Sequence, residues 1–504
     1  MNIPDVFGED WQDEYYVWDC AAGTGNLLAG LTNKYNIYAS TIDKADVDAI
    51  RSIIENGANL LKEHCFQFDF LNDDFDKLPQ KLQDIIKNTP EKLIIYINPP
   101  YAEAGAGIGK GKENKEGVSN TNMTHKKYSE FLGKARNEVF AQFLIRIYKE
   151  IQLCKIANFA KLKALSASNF AGFRGFFQPK LEKLFFVPAD TFDNVDGDFP
   201  IGFHIWDTNK KEKFDNVAAD IYDMNGKFLC KKTVFSYDNE TGFISKWIKQ
   251  FKDKENMSIG MMNTGRLDFQ NQRLVYIKDK IGDEAHSITI TIVIVIECAV
   301  YFSVRHCIEA TWFNDRDQFL YPNEKWENDL EFQSDCLTFT LFHNSNNISS
   351  KEGVNHWIPF TETEVNACEK FESSFMTDFI AGKIKRETSE NNLFDYHGVA
   401  VQNGGVGDNP PQKNVPLIFS SEAKVVFDAG RELWKYYHSK PKVNVNASFY
   451  DIREYFQGRN DKGKMNVKSE DEKYSELIGN LREKMKILAK KIEPKVYEYE
   501  FLRI

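Results

Sequence analysis

The sequence predicts an α/β fold in residues 1–230, with a mostly parallel sheet and an antiparallel hairpin, followed by an α+β region in residues 231–504. Three observations support this assignment. Short apolar runs such as Leu93–Ile97 are typical of strands buried in a parallel sheet. Segments with helical apolar spacing, such as Asn137–Ile151, alternate with these runs. The runs end abruptly in glycine or polar residues, and open α/β sheets bind ligands at the carboxyl ends of their strands.

The first predicted strand lies in Tyr15–Leu28, which reads YYVWDCAAGTGNLL. It ends at Asp19, and a turn with Gly23 and Gly25 separates it from a predicted apolar helix. Glycines let the backbone approach a ligand closely, and the amino end of a helix follows at once. One such turn is weak evidence, because it would suit many nucleotide-binding proteins.

The second and third predicted strands, Asn36–Ile42 and His64–Phe68, also end in acidic residues. Asp43 follows the second strand, at the position that commonly binds ribose hydroxyls in such folds. Asp69 and Phe70 follow the third strand and offer a carboxylate for an amino group and a ring that can pack on a base.

The fourth predicted strand leads into Asn98, Pro99, Pro100 and Tyr101. Two consecutive prolines cannot donate backbone hydrogen bonds, so the strand ends there. The Asn98 carboxamide and a backbone carbonyl beside it can accept both hydrogens of a planar NH2 group. The Tyr101 ring can stack on the ring that carries this group. The pattern indicates transfer to an exocyclic amino group of a base, although the tetrapeptide alone would suit a turn after a core strand equally well.

Taken together, the four strand ends resemble the S-adenosylmethionine-dependent DNA amino-methyltransferases of the N6-adenine group, in the gamma-type motif order. The detailed match covers Tyr15 to Asp207. The resemblance implies a Rossmann-like methyltransferase domain, S-adenosyl-L-methionine as cofactor and double-stranded DNA as partner. It also implies that the C-terminal region recognises the DNA target, and that a cognate restriction endonuclease can belong to the same system.

The resemblance also assigns roles to individual residues. The implied cofactor-binding residues are Asp19, Ala21, Gly23, Gly25, Asp43, Asp69, Phe70 and Asn98. The implied catalytic residues are Asn98, Pro99, Pro100 and Tyr101. Tyr101 would stack on the target base, and Phe199 or Phe203 would supply the second ring.

Composition excludes several other classes of protein. The net charge of −10 argues against a generally basic surface, although a local basic cleft is compatible with it. The eight cysteines contain no C-x-x-C pair, so we expect a reduced cytoplasmic protein without a zinc site or other metal. The segment Ser287–Val304 is interrupted by Glu297, which favours a buried strand and core helix over a membrane span. We expect a monomer that does not bind membranes.

Further elements are predicted by composition and periodicity. Residues 102–128 are rich in Gly, Lys and Asn and predict a flexible loop. The remaining predictions are a helix over Ala45–Leu61, strands at Phe159–Leu165 and Lys183–Val187, a hairpin strand at Asp198–Trp206 and an amphipathic helix within Lys464–Lys495.

Three other functions stay open at this point. Protein glutamine N5-methyltransferases and some RNA amino-methyltransferases share the NPPY motif, because their target is also a planar NH2 group. The chain could be the methylating part of a bifunctional restriction-modification enzyme, but it has no convincing Pro-Asp…Glu-x-Lys nuclease cluster. It could also be a DNA-binding remnant, because nothing in Met1–Tyr16 clearly supplies the family's N-terminal cofactor-clasping element. We therefore expect weak cofactor binding by this chain alone.

Overall fold

The computed structural model describes residues 4–55, 59–100, 122–192, 197, 199–238, 241–266, 268–384 and 417–503. The chain divides into two units. Unit 1 comprises Met1–Thr241 and Thr311–Asp317, and unit 2 comprises Gly242–Ala310 and Gln318–Arg503. The strand Phe228–Phe235 in unit 1 crosses residue 230, where the sequence predicts the domain boundary.

Unit 1 contains a mixed sheet with the strand order β3-β2-β1-β4-β5-β7-β6-β8-β9. Strands β1 to β5 pair in parallel, and β7 is antiparallel to β5 and to β6. This arrangement confirms the predicted α/β fold with a mostly parallel sheet and an antiparallel hairpin. The strands are β1 (Tyr16–Asp19), β2 (Ile37–Thr41), β3 (Cys65–Gln67), β4 (Leu93–Ile97), β5 (Lys155–Lys161), β6 (Pro179–Pro188), β7 (Pro200–Lys211), β8 (Asn216–Tyr222) and β9 (Phe228–Phe235).

The central strands are buried on both faces, as their continuous apolar composition predicts. Val17 and Ile94 belong to the core on one face, whereas Trp18 and Ile95 belong to the core on the other. The helices of unit 1 are α1 (Pro4–Phe7), α2 (Trp11–Glu14), α3 (Lys44–Glu55), α4 (Gln80–Asn88), α5 (Met123–Leu132), α6 (Val139–Glu150), α7 (Lys163–Ser166) and α8 (Ala171–Phe176).

Two predictions about local structure are wrong in part. Residues 102–121 of the predicted loop lie outside the described residues, but Met123–Leu132 is a helix, because the Asn122 side chain accepts a hydrogen bond from the His125 N–H at 2.7 Å and caps it. The predicted strand at Phe159–Leu165 begins earlier, at Lys155, where it joins β4 in register, and the chain turns into α7 at Lys163.

Unit 2 has the antiparallel sheet β11-β10-β12 and a set of helices around a separate core. The predicted strand and core helix in Ser287–Val304 are confirmed as β12 and α10. Among the described residues, no helix has the length and apolar character needed to cross a bilayer. The elements are α9 (Ile244–Gln250), β10 (Ser258–Thr264), β11 (Val275–Lys278), β12 (Ser287–Thr291), α10 (Val295–His306), α11 (Leu330–Phe342), α12 (Glu362–Val365), α13 (Phe375–Ile380), α14 (Ser421–His438), α15 (Phe449–Gln457) and α16 (Glu472–Glu498).

Candidate functional site

The parallel pairing of β1 to β4 brings the predicted polar strand ends to one edge of the sheet. Asp19 ends β1, and Asn98 directly follows β4, which pairs with β1. Trp18 pairs with Ile95 across these two strands. Asp19 is the next residue after Trp18, and Asn98 lies three residues after Ile95, so the two polar residues lie at the same end of the strand pair. The strand order also reverses between β1 and β4, because β2 and β3 lie on one side and β5 on the other. Such a switch point opens a crevice at the carboxyl ends of the strands, where ligands bind.

Asp19 is a buried carboxylate at this switch point. Its side chain is 1% exposed, and its Oδ1 accepts a hydrogen bond from the Ala21 N–H at 3.0 Å. Burial raises the pKa of Asp19 to about 7, although the Ala21 N–H opposes the rise. The phenol of Tyr96 lies near enough that burial and the Asp19 charge together raise its pKa to about 12. The Asp19 carboxyl is therefore about half ionised at pH 7, and a cation beside it would favour the ionised form.

The glycine turn after β1 has the backbone that glycine permits, with φ of +50° at Gly23 and +84° at Gly25. A Cβ at Gly23 would meet no atom within 4 Å, so the turn has an open face. The predicted apolar helix is wrong, because only the 3-10 turn Asn26–Leu28 follows and Gly30, with φ of +88°, ends it. The turn can therefore offer open backbone to a ligand, but not the amino end of a long helix.

Asp43 is exposed at the amino end of α3, beside the carboxyl end of β2. Its Oδ1 accepts a hydrogen bond from the Ala45 N–H at 2.8 Å. This bond caps the first turn of the helix. The predicted role of Asp43 in ribose binding stays a prediction, with a carboxylate accessible for it.

Asp69 is held in a tight loop after β3. Its Oδ1 accepts from the N–H groups of Leu71 at 3.0 Å and Asn72 at 3.2 Å, and its Oδ2 accepts from the Asn72 side chain at 2.8 Å. A carboxylate has about four lone-pair sites, so about one remains for a ligand. That remaining site is sufficient for one hydrogen bond from an amino group.

Phe70 lies in the core. It is 3% exposed and its ring stacks on Phe143, with centroids 5.0 Å apart and planes 11° apart. Its contact with an adenine stays a prediction, and little of the Phe70 ring surface is free for such a contact. The sequence reading missed Arg146, whose guanidinium donates to the carbonyls of Phe70 and of Asp73, the latter at 2.7 Å. An arginine within the apolar helix Val139–Glu150 is the sequence signal that could have identified this clamp.

The three described residues of the tetrapeptide after β4 differ in their exposure to solvent. Asn98 is half-buried, Pro99 is buried and Pro100 is exposed. Tyr101 lies outside the described residues, so its predicted stacking role stays a prediction.

Phe199 and Phe203 have different environments. Phe199 is half-buried immediately before β7, and β7 is antiparallel to β5 with Ile201 opposite Lys161, so Phe199 lies at the same sheet edge as Asn98. The Lys161 ammonium lies 5.6 Å from the centroid of the Phe199 ring. Phe203 is fully buried and stacks on Phe185, with centroids 4.9 Å apart, so the expectation that it can replace Phe199 is wrong.

Among the described residues, no group of three or more His, Cys, Asp or Glu side chains could hold a metal ion. The polar groups at this edge are the carboxylates of Asp19, Asp43 and Asp69, the Asn98 amide and the Lys161 ammonium. Together they can bind a cation at Asp19, hydroxyls at Asp43 and amino hydrogens at Asn98.

No family model and no curated protein matches the chain. A type I restriction-modification system methyltransferase subunit from Streptococcus thermophilus is 18% identical, with 45% of this chain and 46% of that chain covered and a TM-score of 0.30. The DNA-bound ATP-dependent type ISP enzyme LlaBIII is 12% identical, with 53% and 24% covered and a TM-score of 0.33.

The M protein of the type I restriction enzyme EcoKI is 13% identical, with 49% of this chain and 56% of that chain covered and a TM-score of 0.27. The chain therefore spans about half the length of these solved structures or less. Similarity at this level does not transfer an activity to the chain.

Proposed function

We propose that the protein is an S-adenosylmethionine-dependent DNA adenine-N6 methyltransferase that acts in, or derives from, a restriction-modification system. One observation carries the proposal: a buried carboxylate, Asp19, and a carboxamide, Asn98, lie at the ends of adjacent strands at the switch point of the sheet. One group suits a cationic ligand and the other suits a planar amino group. Methyl transfer needs the donor and the acceptor bound side by side, and these two residues would bind one each.

The residues present fit the proposed cofactor. Asp19 provides a carboxylate for an ammonium group, and the open face at Gly23 leaves room for a chain to pass. Asp43 is an exposed carboxylate suited to ribose hydroxyls, and Asp69 has about one acceptor site left for an adenine amino group. When bound, the cofactor supplies an electrophilic methyl group on a sulfonium.

The protein's own contribution is position and hydrogen bonding. The amino group of adenine is a poor nucleophile, because its lone pair is delocalised into the ring. Acceptors at Asn98 and the Pro99 carbonyl would polarise its N–H bonds and favour a tetrahedral nitrogen, and alignment with the methyl group would supply much of the rate. The base must leave the duplex first, at a cost of a few kcal/mol that stacking on Phe199 and Tyr101 would offset.

Incubation with methyl-labelled cofactor and unmethylated DNA tests the proposal. We expect labelled N6-methyldeoxyadenosine in nucleosides digested from the DNA, measured by mass spectrometry. Label in RNA or in a protein glutamine would instead support one of the other amino-methyltransferase functions. DNA binding without any transfer would support the remnant.

Asn98→Ala is the matching variant. We expect it to abolish transfer and to keep most cofactor binding in calorimetry, because the carboxamide would act on the target amino group. Asn88→Ala, at the exposed end of α4, is the control and should remain active. A fully active Asn98→Ala variant would refute the proposed role.

A further inference from the structure

The hairpin formed by β8 and β9 turns at the same sheet edge that carries the candidate site. β7 is antiparallel to both β5 and β6, and β6 pairs in parallel with β8. β8 therefore runs in the same direction as β4 and β5, and its carboxyl end lies at the edge where β1 and β4 end. The chain turns back there between Tyr222, the last residue of β8, and Phe228, the first residue of β9.

The strand register gives the position of this turn relative to Asn98. Asn98 follows Ile97, which pairs with Asn158 of β5. Four residues of the next rung pair in succession across β5, β7, β6 and β8: Phe159, Phe203, Phe185 and Asp220. Asp220 is therefore level with Asn98 and four strand spacings away, at about 19 Å. The turn begins three residues beyond Asp220, so it projects about 10 Å further outward than the Asn98 rung.

The end of this hairpin exposes a group of apolar side chains. Met224, Phe228 and Leu229 are 45–58% exposed. β9 is the last strand of the sheet, so its outer side has no neighbouring strand. The Phe228 ring contacts the Tyr222 ring, with centroids 5.9 Å apart, which holds it on one face of the hairpin. Scattered exposed apolar side chains are normal, but a cluster of them is typical of a surface that contacts another molecule.

The turn has a fixed shape and an exposed cation. Asp223 Oδ1 accepts hydrogen bonds from the N–H groups of Asn225 and Lys227, both at 2.9 Å. Gly226 has a φ of +77°, a conformation that glycine adopts without strain. The Asp223 carboxylate is therefore engaged by the backbone of the turn, whereas Lys227 is exposed.

The position of the hairpin indicates its partner. A duplex that delivers a base to Asn98 lies over this edge of the sheet, so a hairpin about 19 Å to the side meets the flanking base pairs. The major groove of B-DNA is about 12 Å wide and admits a two-stranded β-ribbon. Apolar side chains contact thymine methyl groups in this groove, and a lysine at its rim is suited to a phosphate.

We propose that the β8–β9 hairpin enters the major groove of DNA beside the target base, with Met224 and Phe228 against base edges and Lys227 beside a phosphate. This inference rests on the proposed function, which supplies DNA at this edge. It gives unit 1 its own contact with the flanking base pairs, separate from the recognition proposed for unit 2.

The phosphate contact is tested by the salt dependence of DNA binding, measured by anisotropy with the full-length protein and a labelled duplex. Between 50 and 200 mM KCl, Lys227→Ala should make the slope of log K against log salt less steep by about 0.9, which shrinks the ratio of dissociation constants by about 3.5-fold. Lys213→Ala is the matched control and should keep the slope. Lys213 is also exposed, but it lies between β7 and β8 at the opposite edge of the sheet.

The apolar contact has a different signature in the same assay. Met224→Ser should weaken binding about fivefold at every salt concentration, as expected when part of a Met side chain loses its burial. The slope should not change, because an apolar contact releases no counterions. Leu153→Ser is the control, since Leu153 is an exposed apolar residue before β5 at the opposite edge. All four variants should melt at the temperature of the unmodified protein, because the replaced side chains are exposed.

Two results would overturn the inference. Unchanged DNA binding in both Lys227→Ala and Met224→Ser would do so, and would favour a protein partner for the exposed apolar side chains. Equal effects in the two control variants would also do so, because the hairpin would then have no special position on the DNA.

The two proposals can fail separately. If the protein methylates adenine but both hairpin variants bind DNA as before, the groove contact is wrong and the proposed function stands. If both variants weaken binding as expected but no substrate is methylated, the proposed function is wrong and the groove contact stands.

Discussion

Replacing Asp19 by Asn should stabilise the protein at neutral and alkaline pH, although Asp19 is proposed to bind the cofactor. Asp19 is 1% exposed, and burial raises its pKa from 3.8 to about 7. Between about pH 4 and pH 7, the folded protein therefore keeps a proton on the Asp19 carboxyl, whereas the unfolded chain releases it. Stability falls as the pH rises through this range, because the folded state binds more protons than the unfolded state.

The magnitude follows from the shift in pKa. At about 1.36 kcal/mol per pKa unit, a rise from 3.8 to about 7 costs the folded state about 4 kcal/mol at pH 8 and about 2 kcal/mol at pH 5. Asn is neutral at every pH and keeps an acceptor for the Ala21 N–H. The gain in unfolding free energy of Asp19→Asn should therefore grow by about 2–3 kcal/mol between pH 5 and pH 8.

Urea unfolding at several pH values without cofactor measures this gain in unfolding free energy. Pulse-labelling hydrogen exchange of unit 1 peptides detects the unfolding of unit 1 itself. Asp207→Asn is the control with the opposite sign. Asp207 is 3% exposed, and although burial opposes ionisation, hydrogen bonds from Lys155 at 2.9 Å and Lys210 at 3.0 Å hold its pKa below the usual value. Its loss should destabilise the protein by a few kcal/mol at pH 8.

Two results would contradict the predicted effect of Asp19→Asn. If Asp19→Asn destabilises unit 1 at pH 8, or if its effect is the same at pH 5 and pH 8, the carboxylate is not desolvated as its burial indicates. A stabilised variant that still binds the cofactor with unchanged affinity would separate burial from the proposed binding role.

Three further predictions follow from the same edge of the sheet. Cofactor affinity, measured by calorimetry, should rise with pH up to about 7 by as much as tenfold per unit, since the ionised Asp19 is the binding form; a flat profile would contradict this. Arg146→Met should destabilise unit 1 by a few kcal/mol and speed hydrogen exchange in residues 69–77, because it leaves the carbonyls of Phe70 and Asp73 without this donor and removes one of the three donors to Glu150; unchanged exchange would refute the clamp. Phe199→Ala should lower methylation about 5- to 150-fold and reduce the fluorescence of a flipped 2-aminopurine, whereas Phe176→Ala, at an exposed phenylalanine, should change neither.

Much of the fold and part of the candidate site could be predicted from local sequence. The strand Leu93–Ile97 and the helix Val139–Glu150 agree closely with their predictions, because a buried strand and an amphipathic helix each leave a periodic apolar signal. The shared edge of Asp19 and Asn98 also follows from sequence, since parallel strands place their carboxyl ends together. The helix that apolar spacing predicts after Gly25 is only a short 3-10 turn, because Gly30, with a positive φ, ends it.

Local sequence specifies which residues end the parallel strands, because strand ends are local events set by proline, glycine and charge. The surroundings of each of these residues depend on how the whole chain folds. The tertiary structure gives Asp19 a desolvated carboxylate, sets Phe203 in the core and Phe199 at the edge, and brings Arg146 to the loop after β3. These outcomes depend on strand order and on packing between residues far apart in the chain, and no local pattern encodes the desolvation or the contacts that result.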